Sequence, residues 1–205
     1  MKAFKAYDIR GEWGKDLNEE TAYRIGYFLP RILNTKTILV GRDMRLSSDL
    51  LFDCLTRGLT DSGVDVDDIG LSTTPMVYWS TARYGYEGSV MITASHNPKN
   101  HNGLKISKAN ALPVGYDTGL NRLEAFVESN EPCIPVERKG TIRRKEVKDD
   151  YLAFQRGFTG EHDNLNIAVD CSSGMASLFA HQLIGKAHYI NDQLDGHFPS
   201  HEPNP

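Results

Sequence analysis

The stretch VMITASHNPKNHNGLKI, residues 90–106, decides how the chain is read. Val-Met-Ile-Thr-Ala is a continuous apolar run, the pattern of a strand buried on both faces, and it halts at Ser95. Asn97 and Pro98 fix a tight turn that holds the serine outward, and a polar Asn/His/Gly turn follows. A second short apolar run then carries Lys105. A serine, a histidine and a lysine are thus gathered round one turn. On these residues alone the turn is either a site or an ordinary loop in which His96 caps the backbone.

Outward from this stretch, strands alternate with helices. Asn18 is placed to cap a helix with Glu19 and Glu20 in its first turn and Ala22, Ile25, Leu29 and Ile32 on its apolar face. Pro30 is expected to interrupt it. TILVG (37–41) reads as a strand, and the next helix runs from a serine cap through apolar Leu50, Leu51, Cys54, Leu55 and Leu59 to Gly63. Residues 64–69 form a strand, and Thr74-Pro75 starts a helix that Gly85 ends. GLKIS and a helix over TGLNRLEAFVES complete this part. From 130 to 150 the pattern weakens into a connection with one possible strand at GTIRR. A new unit begins near Tyr151 with a helix, the strand NIAVD, the turn CSSG, a helix to about Ile184 and the strand HYIN. This predicts an α/β fold, a three-layer α/β/α arrangement on a mixed, mainly parallel sheet, with a further α/β unit after it. In such sheets ligands collect at the carboxyl ends of strands, where Ser95 lies.

Composition narrows the function. The 205 residues are 40 % hydrophobic and 24 % charged, with a net charge of −4, which argues against bulk attraction to nucleic acid or anionic lipid. No stretch approaches a membrane span. Three cysteines without C-x-x-C spacing suggest reduced thiols and a cytoplasmic protein. The seven histidines form no metal signature; Pro199 lies between His197 and His201.

A serine hydroxyl is a poor nucleophile unless a base, a cation or an activated reagent assists it. His96 and Lys105 offer proton transfer, and cations close to a serine suit phosphate better than an acyl group. A hydrolase using Ser95 and His96 is less attractive, because there is no G-x-S-x-G elbow and adjacent residues seldom bond each other productively. Nucleotide-cradling glycine motifs are absent. GRDMR (41–45) offers Arg42, Asp43 and Arg45 either to a substrate or to a structural ion pair. CSSG (171–174) is either a phosphate nest or a helix cap.

KAYDIRG, GRDMRLSS, ITASHNP and NGLKI in this order, with AVDCSSGMAS and LDGHFPSHEPNP further on, resemble the α-D-phosphohexomutase superfamily. The YDIRG form is similar to its phosphomannomutase/phosphoglucomutase branch. The resemblance implies that Ser95 carries a phosphoryl group and passes it to a hexose phosphate substrate. A hexose 1,6-bisphosphate forms, turns round and returns its other phosphoryl, so phosphate migrates between C1 and C6. It implies Lys105 as general acid/base, His96 as a proton-handling neighbour of the serine, and Tyr7, Arg10 and Asn97 near phosphoserine and substrate. It also implies Mg²⁺ with Ser95 as one ligand, and hexose 1,6-bisphosphate as activator.

Complete members resemble a four-domain chain of more than twice this length. They carry metal aspartates in a D-G-D-x-D-R loop, a sugar-selecting G-E-x-S loop and a phosphate-gripping loop. None occurs here, and the sequence stops before the aspartate loop would be reached, so the resemblance implies 1–140 as the first domain and 141–205 as part of a second similar α/β domain. The expectation is therefore a partial phosphohexomutase with little turnover alone, its residues beyond about 150 less stable than the rest. The alternative is a non-catalytic remnant or phosphosugar-binding module of the same fold. Sugar preference and oligomeric state are not encoded in these residues.

Overall fold

The computed structural model describes residues 1–162 and 164–203. The elements in chain order are β1 (Ile9–Glu12), α1 (Glu19–Phe28), α2 (Pro30–Leu33), β2 (Thr37–Arg42), α3 (Ser48–Asp61), β3 (Asp65–Leu71), α4 (Thr74–Arg83), β4 (Gly88–Ile92), β5 (His101–Lys108), α5 (Leu120–Glu128), β6 (Ile142–Arg144), α6 (Lys148–Arg156), β7 (Ala168–Asp170), α7 (Ala180–Ile184) and β8 (His188–Ile190). A six-stranded sheet has the order β1-β5-β4-β2-β3-β6, and β7 pairs with β8 in a separate parallel pair. Within the large sheet β4, β2, β3 and β6 are parallel, while β5 runs antiparallel to both its neighbours. The mixed, mainly parallel α/β/α architecture is thus realised.

Side-chain alternation along the strands builds the two outer layers. Ile38, Val40, Val90, Ile92 and Leu104 enter one core with Ile25, Phe28, Leu51, Leu55 and Leu123 of α1, α3 and α5. Leu39 and Met91 point the other way, into a core with Met76 and Val77 of α4, Tyr151 and Leu152 of α6, and Phe179. The Asn18 side chain accepts from the Thr21 N–H at 2.9 Å, and Pro30 divides the helix into α1 and α2.

Three local features differ from expectation. β1 is a strand where the sequence shows only Ile-Arg-Gly-Glu; its alternating charged residues conceal it. Thr73, not Thr74, caps α4 by accepting from the Met76 N–H at 3.3 Å. Ser47 stands at the cap position of α3 without capping it; its hydroxyl instead accepts from Asn102 Nδ2 at 2.9 Å. The strand at GTIRR does form, and it joins the large sheet beside β3. The segment before it lies along α1 and α3, with Tyr27 donating to the Ile134 carbonyl at 2.7 Å.

Candidate active site

The antiparallel step from β4 to β5 creates the site. Past Ile92 the chain stays in register, with the Thr93 N–H donating to the Gly103 carbonyl at 3.0 Å, and then turns outward. Thr93 and Ala94 are buried; Ser95 and His96 are exposed. The Ser95 N–H donates to Thr93 Oγ1 at 2.9 Å and the Asn97 N–H to the Ala94 carbonyl at 3.1 Å. Ser95 has φ of 53°, a left-handed backbone that costs a side-chain-bearing residue roughly 1–3 kcal/mol. Such strain persists only where the surroundings over-determine it.

Arg45 supplies much of that determination. Its Nη1 donates to the carbonyls of Pro98 (2.7 Å) and His101 (3.1 Å), and its Nη2 to those of Ser95 (2.8 Å) and Asn97 (2.7 Å). Nε faces Asp43 Oδ2 at 3.3 Å. Asp43 also accepts from the Arg45 N–H at 3.1 Å and the Ser48 hydroxyl at 2.5 Å. Both residues are buried, 3 % and 5 % exposed, and although they border the cleft the four Nη donors of Arg45 are taken up by the turn. Burial pushes its guanidinium down from the ordinary value, with Asp43 pulling the other way. Arg42 is engaged too, at 2.6 Å from Asp49 and 3.1 Å from Asp68. The arginines of GRDMR therefore make structural ion pairs.

β1 and β5 bring the cations. Arg10 pairs with Gly103 across the strands, and Lys105 with Met91. Ile9 and Leu104 point into the first core, so alternation turns Asp8, Arg10 and Lys105 toward the opposite face, the one Met91 occupies. A side chain at residue 103 is excluded, because its Cβ would lie 2.3 Å from the Ile9 carbonyl oxygen. Buried Asp8 joins the two cations, with Oδ2 3.4 Å from Lys105 Nζ and 3.9 Å from Arg10 Nε. Arg10 Nη1 donates to Asn97 Oδ1 at 2.9 Å, which ties β1 to the serine turn. Tyr7 is 78 % exposed just before them.

Ser95 and His96 line a cleft of about 470 Å³, faced by Thr73, Ser172, Phe198 and His201. His96 also borders a second hollow with Arg10, Asn97 and Glu202. The CSSG turn is not an open nest. The Ser172 N–H donates to Asp170 Oδ1 (2.8 Å), the Ser173 N–H to the Asn191 carbonyl (2.7 Å) and the Gly174 N–H to the Cys171 carbonyl (2.8 Å).

The structure thus gathers Ser95, His96, Asn97 and Arg10 about one turn, with Lys105 linked to Arg10 through Asp8. Sequence reasoning missed Asp8, which sits inside YDIRG, and the grip of Arg45 on the turn. Among the described residues no three His, Cys, Asp or Glu side chains come together as a metal site. Mg²⁺ requires near-octahedral oxygen coordination, so Ser95 alone does not fit it as a complete site. Among the described residues no helix is long and apolar enough to cross a membrane.

A family model described as phosphoglucomutase/phosphomannomutase, alpha/beta/alpha domain I, matches residues 1–132. A phosphomannomutase of Escherichia coli is 39 % identical over 218 aligned residues, covering all of this chain and 48 % of that protein. A phosphomannomutase of Klebsiella pneumoniae is 46 % identical over 153 residues, 74 % of this chain and 98 % of that sequence. The crystal structure of a phosphoglucomutase/phosphomannomutase family protein from Burkholderia thailandensis superposes with a TM-score of 0.86 at 28 % identity, over 98 % of this chain and 46 % of that one. The chain spans about half the length of most of the curated relatives it matches. Its motifs, its sheet and these matches agree: the chain belongs to the phosphoglucomutase/phosphomannomutase family.

Proposed function

We propose that this chain carries the phosphoryl-accepting half of a phosphohexomutase acting on mannose or glucose phosphates. The observation that supports it best is the exposed Ser95, turned out at the carboxyl end of β4 beside the linked set Arg10, Asp8 and Lys105. In the step proposed, Ser95 Oγ forms a bond to the phosphorus of a hexose 1,6-bisphosphate as the phosphorus–sugar oxygen bond breaks. The serine proton leaves to a base, and the departing sugar oxygen takes one up, with Lys105 serving this exchange and His96 assisting. In reverse, phosphoserine gives its phosphoryl to the free hydroxyl of a hexose monophosphate.

Phosphoryl transfer asks mainly for positioning and charge stabilisation. The planar fork of Arg10 suits phosphoryl oxygens, and Asn97 holds that fork in place. Exposed Tyr7 offers a ring and hydroxyl to the sugar. Mg²⁺ would add charge neutralisation in a whole family member. Because these residues do not make a metal site, no step here is routed through it. The two-domain division is kept with 1–140 as the first and 141–205 as part of a second, while β6 (Ile142–Arg144) crosses back to pair with β3 in the sheet of the first. The seam between them is packed, since Val147, Tyr151 and Phe179 share a core with Met76 and Val77.

The test is incubation of the chain with hexose 1,6-bisphosphate labelled in its phosphates. The reading expects up to one label per chain, lost in Ser95→Ala, with little net interconversion of hexose 1- and 6-phosphates by this chain alone. No label would favour a binding module, ordinary turnover would overturn the half-reaction, and ester cleavage blocked by an organophosphate would favour a hydrolase.

A further inference from the structure

We propose that Arg45 is the positioning residue for Ser95, and that residues 195–198 close over it to keep the serine turn in its transfer-ready shape. The proposal rests on the reading of Ser95 as phosphoryl carrier. Four of the five guanidinium donors go to the carbonyls of Ser95, Asn97, Pro98 and His101, all within one turn. A lysine, with three donors on a single atom, cannot span them. In a trans peptide the C=O and the following N–H point in opposite directions. Drawing the Ser95 and Pro98 carbonyls toward Arg45 therefore turns the His96 and Lys99 N–H groups away from it. The same cation that holds the left-handed serine thus also fixes the direction of the backbone N–H that follows Ser95.

The cover comes from the far part of the chain. The Phe198 ring lies over the guanidinium, with Cζ 5.4 Å from its centroid. Residue 196 approaches so closely that a Cβ there would lie 2.6 Å from the Met44 carbonyl oxygen, which only glycine avoids. The Asp195 N–H donates to the Ser173 carbonyl at 3.0 Å, anchoring this segment to the CSSG turn. The serine turn, Arg45 and residues 195–198 are therefore stacked in sequence, and loosening the last should loosen the first.

The experiment measures, on the full chain, amide exchange of residues 95–101 and the saturation kinetics of Ser95 labelling by hexose 1,6-bisphosphate. Arg45→Lys is expected to raise exchange in the turn by about tenfold or more. It should slow labelling at saturation by about tenfold, with half-saturation moved by less than about threefold. Turn exchange and labelling both at the wild-type level would overturn the proposal. If Arg45→Lys does not fold, Phe198→Leu decides, since it leaves every Arg45 hydrogen bond in place. It is expected to raise turn exchange and lower the labelling rate about threefold, and no change in either would overturn the proposal. If the wild-type chain takes no label, the phosphoryl reading fails, while turn exchange in the variants still decides whether Arg45 holds the turn.

Discussion

The two sheets among the described residues make a controlled contrast. In the large sheet, all five residues of β4 are buried, with helices on both faces. In the small one, β7 and β8 have three residues each, the outer two of each strand are exposed, and Ile190 is 54 % open to solvent. Parallel strands are ordinarily covered on both sides, so the first pairing follows the rule and the second departs from it. The large sheet rests on apolar burial. The small pair leans on polar contacts around Asp170, which accepts from Asn191 Nδ2 (3.0 Å) and the Ser172 N–H and faces His201 Nε2 at 3.2 Å.

The largest effect expected on this contrast lies beneath the serine turn. Asp43→Ala leaves the buried Arg45 without its counter-charge, and such breakage costs about 3–5 kcal/mol. Urea unfolding of the large sheet should show it, and a loss below about 1 kcal/mol would mean that the pair is dispensable.

Next come two apolar truncations, one in each region. Leu39→Ala, at a fully buried position, should cost about 2–5 kcal/mol. Ile190→Ala should stay within about 0.5 kcal/mol. Amides of β7 and β8 should also exchange well before those of β2 and β4. Equal sensitivity or equal protection would erase the contrast.

Alkaline titration probes the large region more finely. The Tyr23 hydroxyl, joining α1 to α3, is pushed up from 10.0 to about 12, first by burial and then by its hydrogen bond to Asp61. A raised folded-state value means that the native state holds its proton longer. That stability is complete below about pH 10 and is lost as pH rises toward 12. Tyr23→Phe should flatten this part of the pH–stability curve; an unchanged slope would contradict it.

The smallest effect belongs to the small pair. His201 is raised from 6.5, chiefly by the Glu202 carbonyl and then by Asp170. Its contribution is whole below pH 6.5 and fades as pH rises through the higher folded value. Proteolysis within residues 164–203 should quicken over that range in the wild type and lose its pH dependence in His201→Ala. A wild-type rate that is flat there would count against the contact.

How much of this was legible in the sequence follows the same physical divide. The α1 cap at Asn18, the break at Pro30 and the buried strands β2 and β4 are local signals, and each was readable. β1 was not, because Arg10 and Glu12 interrupt its apolar pattern while their partners lie about ninety residues away. β6 was only half readable. Its three residues are exposed, and an ionic ladder joins it to β3, Arg143 with Asp67 and Arg144 with Asp68. The site divides likewise. Ser95, His96, Asn97, Lys105 and Arg10 stand out as a motif, whereas the bridging role of Asp8 and the grip of Arg45 exist only once β1, β5 and the turn meet.

The most direct measurement is mass-spectrometric mapping of the chain after incubation with hexose 1,6-bisphosphate. The account predicts phosphate on the peptide that contains Ser95, at that residue and no other. Phosphate on Ser172, on His96 or nowhere would contradict it.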